Sequence, residues 1–349
     1  MEEDRYIVKK GNVTIKEIAF DAKVSIATVS MILNNKDKKI SEATRNRVLE
    51  IAKDLNYIPN TMARSLITRQ TKTIGLIMPD ITNPFFPEIA RGAEDKASQS
   101  HYSIIYCNTD DNIGREDQYI NTLTEKMVDG IILAHSSDRE ESSYGLNRNR
   151  VPIVLIDRDF SFPNIVGKVL VNNKDASFKG VNYLLEKGYE KIVYIAGPMT
   201  TQTAKDRLDG YKMALSERGV EYRDNYVKIG DYKAQWGELA VKEFLNEGIS
   251  FDSIFCGNDL IAIGAIKALK NAGMQVPEDV GIIGFDDIYM ASMMDPELTT
   301  IRQPNYEMGF RAAELLINEI NDRSENIEKG NMDVKKIILE TELIIRKSS

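Results

Sequence analysis

The sequence predicts a small all-α helix-turn-helix head followed by a larger α/β body of two doubly wound parallel-sheet subdomains. Three observations carry this. The stretch VTIKEIAFDAKVSIATVSMILN, Val13 to Asn34, has the spacing of two short helices about a tight turn. From Thr71 onward, short apolar runs alternate with amphipathic stretches, the pattern of a parallel sheet covered on both faces. Those runs are too many for one sheet of ordinary size, so two sheets are expected.

The head comes first. Thr14 and Glu17 form a T-x-x-E capping box, which starts helix one at Thr14. Ile15, Ile18, Ala19 and Ala22 then recur at i, i+3, i+4 and i+7, one apolar face. The chain turns at Ala22 to Val24, and Ser25 caps helix two. Val24 and Val29 hold the hydrophobic-staple positions. Ile32 and Leu33 continue the buried side, while Ile26, Ala27, Ser30, Met31 and Asn34 show on the other. A helix-turn-helix has this layout, and its second helix enters the DNA major groove. A plain helical hairpin inside a larger core would share the pattern. A third helix is expected from Ser41 to about Leu55, with Asn56 as a left-handed stop. Asn60 to about Thr68 offers only two turns. Such a segment is either a linker or a helix that folds on contact, since isolated helices below roughly 12 residues rarely hold.

Composition bounds the rest. A chain of 349 residues suggests two or three compact units, and 42% apolar residues mark it as globular. Two cysteines, Cys107 and Cys256, fit a reducing cytoplasm. The charged N-terminus lacks an apolar stretch, and no run is long enough to span a membrane, so an intracellular protein is expected. The net charge of −8 is uneven: Lys9 to Gln70 holds about 12 Lys/Arg against about 6 Asp/Glu. A basic head on an acidic body fits a nucleic-acid module joined to a domain with another task.

Expected strands include TIGLIMP, SIIYC, GIILA, IVLID, KVLV, KIVYIAG, SIFCG and VGIIGF, with KKIILETELIIRKSS closing the chain as strand. Ligands of open α/β sheets bind beyond the carboxyl ends of the strands. Those ends carry Asp80 and Asn83, Asn108 and Asp110, Asp157-Arg158, Asn258-Asp259 and Asp286-Asp287. Singly, each reads better as a cap or turn residue, Asp157-Arg158 least easily. Five together argue for a polar cleft suited to a hydroxyl-rich molecule. Phe85, Phe86, Tyr232 and Trp236 offer apolar faces for it. Catalysis finds little support. His101 and His135 have no metal-ligand spacing with the cysteines and read as surface or loop residues. No nucleotide-loop, nucleophile-elbow or zinc-protease motif is present.

These runs resemble the lactose repressor (LacI/GalR) family. The head follows it in VTIKEIA, VSIATVSMILN, ISEATRNRV and LNYIPNTMARSL. The body follows it in IGLIMPDITNPFFPEIARGAE, VDGIIL, VPIVLIDR, RLDGY, FCGNDLIAIGA, VPEDVGIIGFDD and LTTIRQP. The resemblance covers nearly all of the chain from Val13. It implies a cytoplasmic, homodimeric repressor whose two heads read an inverted repeat of double-stranded DNA. It implies no cofactor, no metal and no enzymatic activity. The segments expected from it are an extension (1–12), the helix-turn-helix domain (13–58), a hinge helix (59–70) and an effector domain (71–349). Within the last, one subdomain takes about 71–170 plus 302–332, the other 171–301 plus 333–349.

The DNA positions the resemblance implies are Thr14, Ser25, Ile26, Ala27, Thr28, Ser30, Met31 and Asn34, then Tyr57, Asn60, Ala63, Arg64 and Leu66. Leu66 would be a minor-groove wedge. In the effector cleft they are Asn83, Phe85, Phe86, Asp157, Arg158 and Thr201, then Thr203, Arg207, Tyr232, Asn258, Asp286 and Gln303. The set looks like that of ribose-binding relatives. A control protein answering to a phosphoprotein is a further possibility within the family. One departure stands out. Family members usually carry Arg where this chain has Met31, and Met cannot bond guanine O6 and N7.

Overall fold

The computed structural model describes residues 13–34, 37–57, 70–136, 151–160, 164–324 and 334–349. The chain divides into two compact units between Arg69 and Gln70.

In the first unit, α1 spans Ile15–Asp21, α2 Ile26–Leu33 and α3 Glu42–Asp54. Glu17 Oε2 accepts from the Thr14 backbone N–H at 2.7 Å, which fixes the start of α1. Lys23 takes a left-handed φ of 55° and turns the chain into α2. Ile18, Ala19, Val29, Ile32, Val48 and Ala52 bury together between the three helices. Asn56 ends the third helix region at φ 48°, the left-handed stop expected there.

The second unit holds two six-stranded sheets. The first runs β11 (Lys335–Leu339), β5 (Ile165–Val171), β4 (Ile153–Ile156), β3 (Gly130–Leu133), β1 (Thr73–Met78), β2 (Ser103–Asn108). All its pairings are parallel. The second runs β12 (Glu342–Ile344), β10 (Thr299–Arg302), β9 (Gly281–Asp286), β8 (Ser253–Cys256), β6 (Ile192–Ala196), β7 (Val227–Ile229). Only β12 there is antiparallel. The central strands are buried along their whole length. They therefore read as unbroken apolar runs rather than alternating ones.

The helices of this unit are α4 (Phe85–Gln99), α5 (Ile113–Glu125), α6 (Asn173–Glu186), α7 (Gln202–Glu217), α8 (Ala234–Asn246), α9 (Asp259–Asn271) and α10 (Asn305–Ser324). The chain leaves the first sheet after β5 and returns to it after β10, where α10 packs beside α4 over the first core. One expected boundary is corrected here. Residues 333–349 do not all belong to the second lobe: β11 pairs with β5, and the last crossing falls between Leu339 and Glu342. The strands β7 (VKI) and β10 (TTIR) are not among those expected, since neither carries an apolar run.

The α4–α10 pair crosses at glycine. A Cβ on Gly309 would sit 1.9 Å from the Ile89 carbonyl oxygen, and one on Gly92 would sit 1.9 Å from that of Tyr306. Backbone cannot give way as a side chain can. Gly309→Ala is expected to destabilise the body by about 2–3 kcal/mol, read as a lowered urea midpoint. An unchanged midpoint would refute the close crossing.

Candidate functional site

Between the two sheets of the second unit lies a cavity of about 160 Å³. Its walls come from strand ends and helix starts of both lobes. Asp157 follows β4 and Asp286 ends β9. Both hold positive φ, 66° and 113°. Such backbone costs of order 1–3 kcal/mol per residue and clusters where a side chain must be aimed. The strain turns one carboxylate from each lobe into the cavity.

Arg207, on α7, is only 3% exposed. Its Nε donates to Asn173 Oδ1 at 2.8 Å and its Nη1 to the Gly257 carbonyl at 2.5 Å. Nη2 lies 3.9 Å from Asp286 Oδ1, and the guanidinium stacks 3.7 Å from the Phe285 ring centre. Arg158 is held differently. Its Nη1 donates to Asp111 Oδ1 at 2.9 Å and to the His135 carbonyl at 2.7 Å. The lobes touch where Thr203 Oγ1 donates to the Asp157 carbonyl at 3.4 Å.

Burial pushes Asp286 up to about 7, although Arg207 and the Gln303 amide pull the other way. Burial also raises Asp157, against Arg158 and Arg207. Arg158 is driven above its ordinary range: burial opposes the charge, but Asp111 and Asp157 outweigh it. Burial lifts the Tyr232 phenol as well. Gln303 donates through Nε2 to Asp286 Oδ1 at 2.8 Å, and its Oε1 has no hydrogen-bond partner among the described residues. A hydroxyl in the cavity would satisfy it.

Eleven of the twelve residues expected in the effector cleft line this cavity: Asn83, Phe85, Phe86, Asp157, Arg158, Thr203, Arg207, Tyr232, Asn258, Asp286 and Gln303. Thr201 is the exception. Its hydroxyl accepts from Ala204 N and donates to the Pro198 carbonyl, both at 3.2 Å, so it caps α7 instead. Several strand-end residues also turn away. Asn108 Oδ1 accepts from Ile81 N, and Asp110 pairs with Arg115. Asp259 accepts from Thr300 and from Ile288 N, and Asp287 pairs with Arg302 and Arg346. Trp236 donates to the Ala196 carbonyl outside the cavity wall. His135 lies in the loop after β3, as one of its two expected readings had it, but is buried rather than on the surface, with Nδ1 2.8 Å from the Ser136 carbonyl. The sequence reading missed Pro79, Asp111, Pro198, Asp231 and Lys233, and named Asp80 among the strand ends of a polar cleft without assigning it to the ligand; all six line the cavity.

In the head, Ser25 Oγ accepts from Thr28 N at 3.0 Å and begins α2. Ile26, Ala27 and Met31 are exposed along it, with Ser30 and Asn34 partly covered. Thr14 precedes α1. Tyr57 packs against the head's own core. Asn60, Ala63, Arg64 and Leu66 lie outside the described residues, as do 1–12.

The pattern of bacterial regulatory proteins of the lacI family matches residues 14–60. That of periplasmic binding proteins and the sugar binding domain of the LacI family matches residues 71–339. The chain belongs to the LacI family. This LacI-family member is 39% identical to the HTH-type transcriptional regulator RegA of Clostridium saccharobutylicum over 340 residues, 96% of this chain and 99% of that protein. It is 37% identical to the ribose operon repressor of Halalkalibacterium halodurans over 336 residues, 96% and 97% of the two. A solved LacI family regulator from Enterococcus faecium, with bound ribose, shares 29% identity at a TM-score of 0.68, over 79% of this chain and 98% of that one. A DNA-binding head and a sugar-binding body are thus joined in one regulator. Among the described residues no helix is long and apolar enough to cross a membrane.

Proposed function

We propose that this chain is a cytoplasmic transcriptional repressor, working as a homodimer on an inverted-repeat operator. Its operator affinity is set by a small neutral polyol, ribose or a close relative, held between the lobes. The cavity carries this reading. Carboxylates Asp157 and Asp286 enter it from opposite lobes, Arg207 stands beside Asp286, and Gln303 Oε1 waits for a donor. A cavity of about 160 Å³ is well above the roughly 10–15 Å³ that admits one water, the scale of one small sugar. The ribose operon repressor relative and the ribose-bound regulator favour a pentose. The lining acids Asp80, Asp111, Asp157, Asp231 and Asp286 outnumber Arg158, Arg207 and Lys233. That balance disfavours sugar phosphates.

Calorimetric titration with ribose and with ribose 5-phosphate tests this. Binding of ribose and none of the phosphate is expected; tighter binding of the phosphate would overturn the neutral-ligand reading. The pH dependence has a definite sign. Ligand hydroxyls donate to ionised carboxylates, and Asp286 ionises only through about pH 7. Ribose affinity is therefore expected to fall about tenfold from pH 8 to pH 6. In the free protein the raised carboxyl works oppositely. Its contribution to stability is present below the ordinary carboxyl range and is lost as pH rises through about 7.

A further inference from the structure

We infer that α2 reads thymine methyl groups, so that the half-site of this head carries its information in A·T pairs. The inference rests on the DNA-binding reading above.

The helix IATVSMIL contains no charged residue and no amide. Val29 and Ile32 face the head's own core. On the other side Ile26 is 47% exposed and Met31 41% exposed, with Ala27 exposed between them in sequence. Ile26 and Ala27 lie one turn before Ser30 and Met31, so they share a face.

The polar groups along this helix are engaged. Ser25 Oγ accepts from Thr28 N and lies 2.8 Å from Thr28 Oγ1, so both hydroxyls serve the cap. The Asn34 amide donates back to the Ser30 carbonyl at 2.8 Å. No Arg, Lys or Gln stands on α2 to take guanine or adenine in a bidentate bond. Cations flank it instead: Lys23 just before its cap, and Lys38 and Lys39 beyond its end, all exposed. Phosphates attract such flanking charges, which position a helix without reading sequence.

What remains to meet the groove is an apolar strip. The major groove offers one apolar group, the thymine C5-methyl. Every base pair presents polar atoms there, and only A·T adds a methyl against which Ile26 and Met31 can pack. The chemistry therefore selects thymine methyls as the occupant of this face.

The test uses the full chain and duplex DNA selected from a random pool. Each thymine of the best half-site is replaced singly by deoxyuridine, which removes only the methyl. Binding about threefold to fivefold weaker is expected at each contacted thymine. In Met31→Ala the sensitivity to deoxyuridine should vanish at one position and persist at the others. A half-site whose information lies in guanines, with affinity indifferent to deoxyuridine, would overturn the inference while leaving operator binding intact. A pool with no enrichment at all would overturn both, and so separates the two failures.

Discussion

Arg207→Ala is expected to abolish ribose binding and to lower the melting temperature on the order of 10 °C. The side chain is buried and binds Asn173, the Gly257 carbonyl and Asp286 at once. Removing it leaves Asp286 without its nearest cation and weakens the charge facing Asp157, which keeps Arg158. Breaking a buried pair from one side costs about 3–5 kcal/mol, because the remaining charge is uncompensated. The two acids can escape by protonation. Both are already raised by burial, and losing the cation raises them further. The deficit of the variant should therefore shrink as pH falls below 7. Arg207→Lys keeps the charge but loses the fork that reaches three partners. It should recover part of the stability and little of the binding. Differential scanning calorimetry at pH 8 and pH 6 reads all of this. An Arg207→Ala protein that melts like the parent at both values would contradict the account of the site.

Leu66→Gly is expected to weaken operator binding at least 100-fold while leaving ribose affinity unchanged. Leu66 lies outside the described residues, so this expectation comes from the family resemblance alone. An apolar wedge that opens a base step loses its whole purpose without a side chain. Glycine also disfavours any helix there by about 1 kcal/mol. The effector cavity is built entirely from residues beyond Gln70, so its affinity has no reason to move. Filter binding to operator DNA and calorimetry with ribose measure the two sides. Parent-like operator affinity would remove Leu66, and the hinge, from the coupling.

Much of the architecture could be read from residue order alone. The capping box at Thr14, the Ser25 cap and the stop at Asn56 are local signals, and the head follows them. Long buried strands announce themselves as apolar runs. β7 (VKI) and β10 (TTIR) carry no such run, and nothing in their residues marks them as strand. Nor can a run such as KKIILETELII say which sheet takes it. Its first half adds to β5 and its second to β10, a choice made by tertiary pairing.

The cleft shows the same divide. Strand ends located it, but not which of two adjacent acids would enter it. Asp110 and Asp111 both hold positive φ, and the resulting swing sends Asp111 to the wall and Asp110 to Arg115. Asp286 and Asp287 split likewise, the second going to Arg302 and Arg346. Thr201 carried a ligand assignment by resemblance, yet an N-cap is what its hydroxyl makes. Asp231 and Lys233 flank Tyr232 in a loop with no periodicity to read. Their place on the wall is a fact of folding together, not of spacing.

The central claim is that a neutral sugar between the lobes sets the grip of the head on DNA. Coupling of this kind is a ratio of affinities, typically 5- to 150-fold. The direct measurement is operator affinity of the full chain, by fluorescence anisotropy, across a series of ribose concentrations. A saturating change of at least fivefold is expected, absent in Arg207→Ala. An operator affinity that stays flat from zero to saturating ribose would contradict it.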